Sequence, residues 1–226
     1  MVKQELVDRS PVRSFEKATN GGLKAGEIGV LTSRKGLGKT SVLVQFGLDM
    51  LLQDKPVVHV SFNQHSDNVI TWYEDIFSEM TKKKNLANAD EVKDEVIRNR
   101  IILNFSPDSI AAERITRTLK ALAEGGTKPA GVIIDGLNSK VFTASELKAL
   151  KTYAVEAGLS IWFSYNSDEE DVNKIFGSEV AAEINTVIHL EQKPDVIQMK
   201  VLKAHNTEVQ NINLKLDSKT LLLSDK

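Results

Sequence analysis

Cysteine does not occur in this chain. Its absence excludes a disulfide framework, a thiolate metal site and a cysteine nucleophile, and leaves the redox compartment open. Charge of one sign is also missing. The 29 Lys and Arg against 31 Asp and Glu give a net charge of −2, which supplies no global attraction to nucleic acid or to an acidic membrane surface. No apolar run approaches the ~20 residues needed to span a bilayer. The first residues, MVKQELVDRSPVRS, have no apolar core of the secretory kind. Internal repeats and low-complexity stretches are absent too. What remains is 226 residues, 41% apolar and 27% charged, enough for one large domain or two small ones of a soluble, cytoplasmic protein.

Short apolar runs alternate with longer helical stretches. EIGVLTS (27–33) reads as a strand, and TSVLVQFGLDMLLQ (40–53) as a helix apolar nearly all round, hence buried between layers. VVHVSF (57–62) is a second strand. SDNVITWYEDIFSEM (66–80) has helical spacing, with Asp67 as its expected N-cap. A charged segment (81–100) reads as a loop and then a surface helix. IILNF (101–105) is a third strand, followed by a helix that stops at the glycine pair 125–126. GVIID (131–135) and LSIWFSY (159–165) are two more strands, separated by a helix capped by Thr143 or Ser145 and ended by Gly158. After residue 184 the strands become closely spaced with short turns, the pattern of an antiparallel extension. Continuous apolar strands alternating with helices predict an α/β fold, a mainly parallel sheet covered on both faces. Residues 1–14 are expected to be an N-terminal arm, and 15–226 a single domain.

Residues 33–40 read SRKGLGKT, one residue away from the phosphate-binding pattern G-x-x-x-x-G-K-[ST]. The segment follows a predicted strand and opens a predicted helix, the setting that loop requires. Backbone N–H groups of residues 34–39 (Arg34, Lys35, Gly36, Leu37, Gly38, Lys39) would face phosphate oxygens at a helix N-terminus, with Ser41 completing the segment. Lys39 would reach the β- and γ-phosphates, and the Thr40 hydroxyl would ligate Mg²⁺. Ser33 stands where glycine is usual, at the loop's entrance, which supports the turn without itself holding phosphate. The competing reading is a Gly-rich β–α turn with an incidental Lys-Thr. GVIID ends in Asp135, about ninety-five residues beyond the loop. A carboxylate at the end of such a strand holds Mg²⁺, usually through water.

With these motifs in view, FEKATNGGLKAGEIGVLTS (15–33) resembles the entry segment of RecA-superfamily ATPases, especially the KaiC, RadA and DnaB-like branch. Gly21, Gly22, Leu23, Gly26 and Glu27 fit its GGL-x-x-G-E turn, and the resemblance covers roughly residues 11–223. It implies a three-layer P-loop fold, ATP and Mg²⁺ as ligands, and a nucleotide bound between subunits of a homo-oligomer or against a partner protein. It also implies a catalytic Glu just after the second core strand, where this chain has VSFNQHS and the position falls on Asn63. An amide orients water but does not take its proton at neutral pH. Gly136 follows Asp135, Asp67 lies too far along, and His65 is the remaining base, expected as a solvated loop residue. In VLKAHN (201–206), Lys203 matches the first of the branch's trans-acting basic pair, and His205 falls where Arg is usual. Tyr165 or Asn166 would be the γ-phosphate sensor.

DNA is expected not to bind. Of the two loops that RecA-like DNA binders use, the second here, NSDEEDVNKIFGSE (166–179), carries five acids and one Lys. Lys82–Lys84 is the only basic run and reads as a solvated connection. Trp72, Tyr73, Trp162 and Phe163 are expected in the core. The expectation is thus an ATP-binding module with slow or no hydrolysis, serving assembly or regulation. The alternatives are an active DNA-dependent ATPase and a structural subunit that no longer binds nucleotide.

Overall fold

The computed structural model describes residues 2–83, 89–106, 112–136, 143–205 and 212–225. In these, β1 (Ile28–Ser33) leads into α3 (Lys39–Leu52), preceded by α1 (Val2–Asp8) and α2 (Val12–Ala18). There follow β2 (Val57–Ser61), α4 (Ser66–Lys83), α5 (Ala89–Arg98), β3 (Arg100–Asn104), α6 (Ala112–Glu124), β4 (Gly131–Asp135), α7 (Ala144–Ala157) and β5 (Ser160–Asn166). The chain closes with α8 (Val172–Glu183), broken at Gly177, and with β6 (Thr186–Gln192), β7 (Ile197–Ala204), β8 (Leu214–Leu216) and β9 (Leu223–Ser224).

Among the described residues, nine strands form one sheet in the order β3-β2-β4-β5-β1-β6-β7-β8-β9. The first six are parallel and the last three antiparallel, as the change of strand spacing after residue 184 predicts. β1, β2 and β4 are buried along their whole length, which is why they read as continuous apolar runs. Two apolar layers flank them. One joins α1 to α5 with Ile133, Trp162 and Ile188, and the other joins α6 and α7 with Val30, Ile134 and Phe163. This is the three-layer α/β architecture of P-loop nucleotide-binding proteins. The all-round apolar α3 lies within the first layer, where Leu43, Leu48 and Leu51 are fully buried. No helix among the described residues is long and apolar enough to cross a membrane.

Some local expectations need correction. Residues 2–14 do not stand free as an arm. Leu6, Val7 and Val12 are buried against the α3 layer. Arg13 donates to the buried Asp49 of α3, and its second nitrogen sits 2.8 Å from Glu16. Asp67 is not an N-cap but lies within the first turn of α4, which begins one residue earlier. Thr143, rather than Ser145, caps α7 by accepting from the Glu146 N–H. Lys84 of the basic run and most of the loop after β4 fall outside the described residues.

Candidate functional site

In parallel sheets, ligand sites form beyond the carboxyl ends of the strands, where the strand order reverses. β1 and β4 end there, on either side of β5. The loop after β1 turns into α3 through Gly36 (φ 89°) and Gly38 (φ 90°), both in a region that disfavours side chains. Gly38 is doubly constrained, since a Cβ on it would come within 2.5 Å of Leu216 Cδ2. The first-turn N–H groups of α3 have no partners within the helix and are free to meet an anion.

Lys39 is buried and turned back on its own loop. Its Nζ donates to Ser33 O, Ser33 Oγ and Arg34 O, each at 3.0 Å. Burial brings its pKa down to about 8, against the opposing pull of Asp135 and Asp168. Thr40 Oγ1 donates to Asp135 Oδ2 at 2.7 Å, so the two residues predicted to share Mg²⁺ already meet. Their oxygen donors suit a hard divalent cation. The loop glycines and the buried ammonium suit a phosphate chain.

Lys35, Gly36, Gly38, Lys39, Thr40 and Ser41 line a cleft of about 300 Å³, with Asp135 and Gly136 among the residues facing them. That volume lies at the small end of the ~300–1,000 Å³ usual for small-molecule sites. Arg34 points aside, donating to Gln192 Oε1 at 2.6 Å and lying 3.7 Å from Asp168. A second cavity of about 400 Å³, between the α1–α2 junction and β9, is away from this loop.

Asn63 reaches the cleft from the end of β2. Its amide lies where a Cβ on Gly136 would be, 2.3 Å from that point to Cγ. The substitution at the expected base position therefore lies directly over the end of β4. Among the described residues lining the cleft, Asp135 is the only carboxylate. His65 is exposed and does not line it, and neither does Asp67.

Strand parity separates the two candidate sensors. Asn166 lines the cleft, and so does Ser164, whose Oγ accepts from the Gly136 N–H at 2.9 Å. Tyr165 points to the opposite face and packs on Phe176, with ring centroids 5.0 Å apart. Several residues of the cleft were not expected there. Gln64 and Ser164 lie near the expected positions, and the alternation of β5 was a signal for Ser164. Trp72, expected in the core with Tyr73, Trp162 and Phe163, is only half-buried and borders the cleft, while the other three are buried. Leu221 arrives from the C-terminal turn. Its carbonyl accepts from Ser41 Oγ at 2.6 Å and Gln45 Nε2 at 2.9 Å, and no sequence pattern announces it.

Lys203 and His205 lie at the other end of the sheet. β7 runs antiparallel to β6, so Lys203 pairs with Val187 and lies level with the start of β1. Lys203 Nζ donates to Ala181 O at 2.8 Å, and burial together with the nearby Lys151 lowers its pKa. His205 Nδ1 is 2.9 Å from Glu27 Oε1, and its Nε2 is 3.1 Å from Gly22 O. His205 therefore ties the last described turn of β7 to the GGLKAGE entry segment. Neither residue is brought to this chain's own phosphate loop.

The acidic segment after β5 begins beside the loop. Ser167 N–H donates to Ser33 O at 3.0 Å, and Glu170 pairs with Lys200 at 2.8 Å.

No curated protein matches this chain in sequence. A family model described as AAA domain matches residues 4–162, more than half the chain, and includes the phosphate loop, Asn63 and Asp135. The chain belongs to the AAA domain family, a nucleotide-binding module of the P-loop ATPase type.

Proposed function

We propose that this protein binds ATP with Mg²⁺ in the cleft between the β1–α3 loop and the end of β4, and that it hydrolyses ATP slowly or not at all. Lys39 would hold the β- and γ-phosphates, and Thr40 and Asp135 would hold the metal, whose charge supports phosphate binding. Asn166 would contact the terminal phosphate. The observation that carries the reading is Asn63. It lies over Gly136, and Asp135 is the one carboxylate among the described lining residues. A metal-holding carboxylate does not double as a free base, and an amide cannot accept a proton from water at neutral pH.

The protein then acts as a nucleotide-dependent assembly or regulatory subunit of the cytoplasm, in the KaiC, RadA and DnaB-like branch. Lys203 and His205, far from this chain's own loop, suit contact with a neighbouring copy or a partner protein. DNA is not its ligand. Asp168 sits beside the phosphate loop and opens the acidic run 168–171, which would repel a nucleic-acid backbone. The test is ATP binding and phosphate release measured together, with size-exclusion chromatography with and without nucleotide. Binding without turnover, and a nucleotide-dependent change in size, are expected. DNA-stimulated turnover would instead favour an active motor, and absence of binding a purely structural subunit.

A further inference from the structure

Ser33 is the loop's one departure from the phosphate-binding pattern, and its hydroxyl is fully engaged. It accepts from Lys39 Nζ at 3.0 Å and donates to Arg34 O at 2.7 Å. A lysine ammonium has three N–H donors. Lys39 finds three acceptors on residues 33 and 34 alone, two of them carbonyls and the third the Ser33 hydroxyl. A glycine at this position would supply only the carbonyl.

These acceptors are themselves held in place. Ser33 is fully buried at the end of β1, and its carbonyl also accepts from the Ser167 N–H at 3.0 Å. The Arg34 side chain is tied to Gln192 and flanked by Asp168. The ammonium thus rests against its own loop, with its three N–H donors turned to residues 33 and 34.

We propose that Ser33 is a positioning residue that holds Lys39 against its own loop in the nucleotide-free protein, and so restrains nucleotide binding. The inference rests on the nucleotide-binding reading above. Any affinity the phosphates gain from Lys39 is offset by the hydrogen bond surrendered to them. Ser33 does not touch the reacting atoms, and its effect passes through Lys39.

The test uses Ser33→Ala and Ser33→Gly. Ser33 is not among the residues with positive φ, so alanine keeps the backbone. The Lys39 ammonium protons are followed by ¹⁵N NMR in the nucleotide-free proteins for their exchange with water, and ATP·Mg²⁺ affinity is measured by calorimetry, both at about pH 6.5. In the wild type, the ammonium held by three acceptors should exchange slowly. Both variants should exchange faster, because one of the three acceptors is gone. Both should bind ATP·Mg²⁺ about 3–10-fold more tightly, the worth of one hydrogen bond no longer surrendered.

Unchanged exchange at Lys39 in both variants overturns the proposal, as does unchanged or weaker affinity in both. A wild type that binds ATP while the variants match it sinks this inference alone. If no protein binds ATP, the nucleotide reading fails and takes the restraint with it.

Discussion

The Thr40 hydroxyl donates to the Asp135 carboxylate at 2.7 Å, joining the first turn of α3 to the end of β4 across the intervening strand β5. The contact brings together two oxygen donors that lie far apart in sequence. If they share Mg²⁺, Asp135→Asn and Thr40→Val should each reduce the gain in ATP affinity on adding Mg²⁺ by at least about tenfold. The double variant should lose little more than either single one, since residues that act on one ion are not additive. Titration of ATP with and without Mg²⁺ into the four proteins checks this.

Lys39 predicts a pH dependence. Phosphate beside the ammonium favours its charged form, so its pKa in the complex must exceed the value of about 8 in the free protein. Binding therefore takes up a proton wherever free Lys39 is neutral. Affinity should be full below pH 8 and fall as pH rises through it. Calorimetry in buffers of different ionisation enthalpy should show proton uptake at pH 9 that vanishes at about pH 6.5. A pH-independent affinity would mean that Lys39 does not engage the phosphates.

Asn63 is the proposed reason for weak turnover, and the fault should be repairable. Asn63→Glu puts a carboxylate into the cleft above Gly136 and should raise phosphate release by about 10²–10⁴-fold, the usual worth of a positioned general base. Asn63→Ala should leave the low rate unchanged. Turnover like that of an active ATPase in the wild type, abolished by Asn63→Ala, would show the position to be misassigned.

The anchoring of the N-terminal helices has its own signature. Arg13→Ala leaves the Asp49 carboxylate buried at 3% exposure without its cation. Arg13 is itself part-exposed, so the cost should be about 2–3 kcal/mol, below the ~3–5 kcal/mol of a fully buried pair. Chemical denaturation of the two proteins measures it. No loss of stability would return residues 2–14 to the status of a loose arm.

The parallel core was legible because its strands are buried on both faces and its helices end at glycines or caps. GVIID corresponds to β4 residue for residue, and Gly158 ends α7 in the left-handed conformation. The N-terminal helices were not legible. Their anchors, Leu6, Val7, Val12 and Phe15, are scattered through a polar stretch and become apolar contacts only once α3 is in place. The candidate site divides in the same way. Gly38, Lys39, Thr40 and Asp135 lie in local motifs and could be named from spacing. The choice of Asn166 over Tyr165 needed only the alternation of β5, in which Ile161, Phe163 and Tyr165 share one face. Leu221 and the partners of Lys203 and His205 come from pairings far along the chain, which no local pattern encodes.

The central claim is binding without efficient cleavage, and one paired measurement reaches it. ATP·Mg²⁺ is titrated into the wild type and Lys39→Ala by calorimetry, and phosphate release is followed in the same samples. Saturable binding by the wild type, lost in Lys39→Ala, with phosphate release near background in both, is the predicted result. Equal affinity in the two proteins, or rapid phosphate release by the wild type, would contradict it.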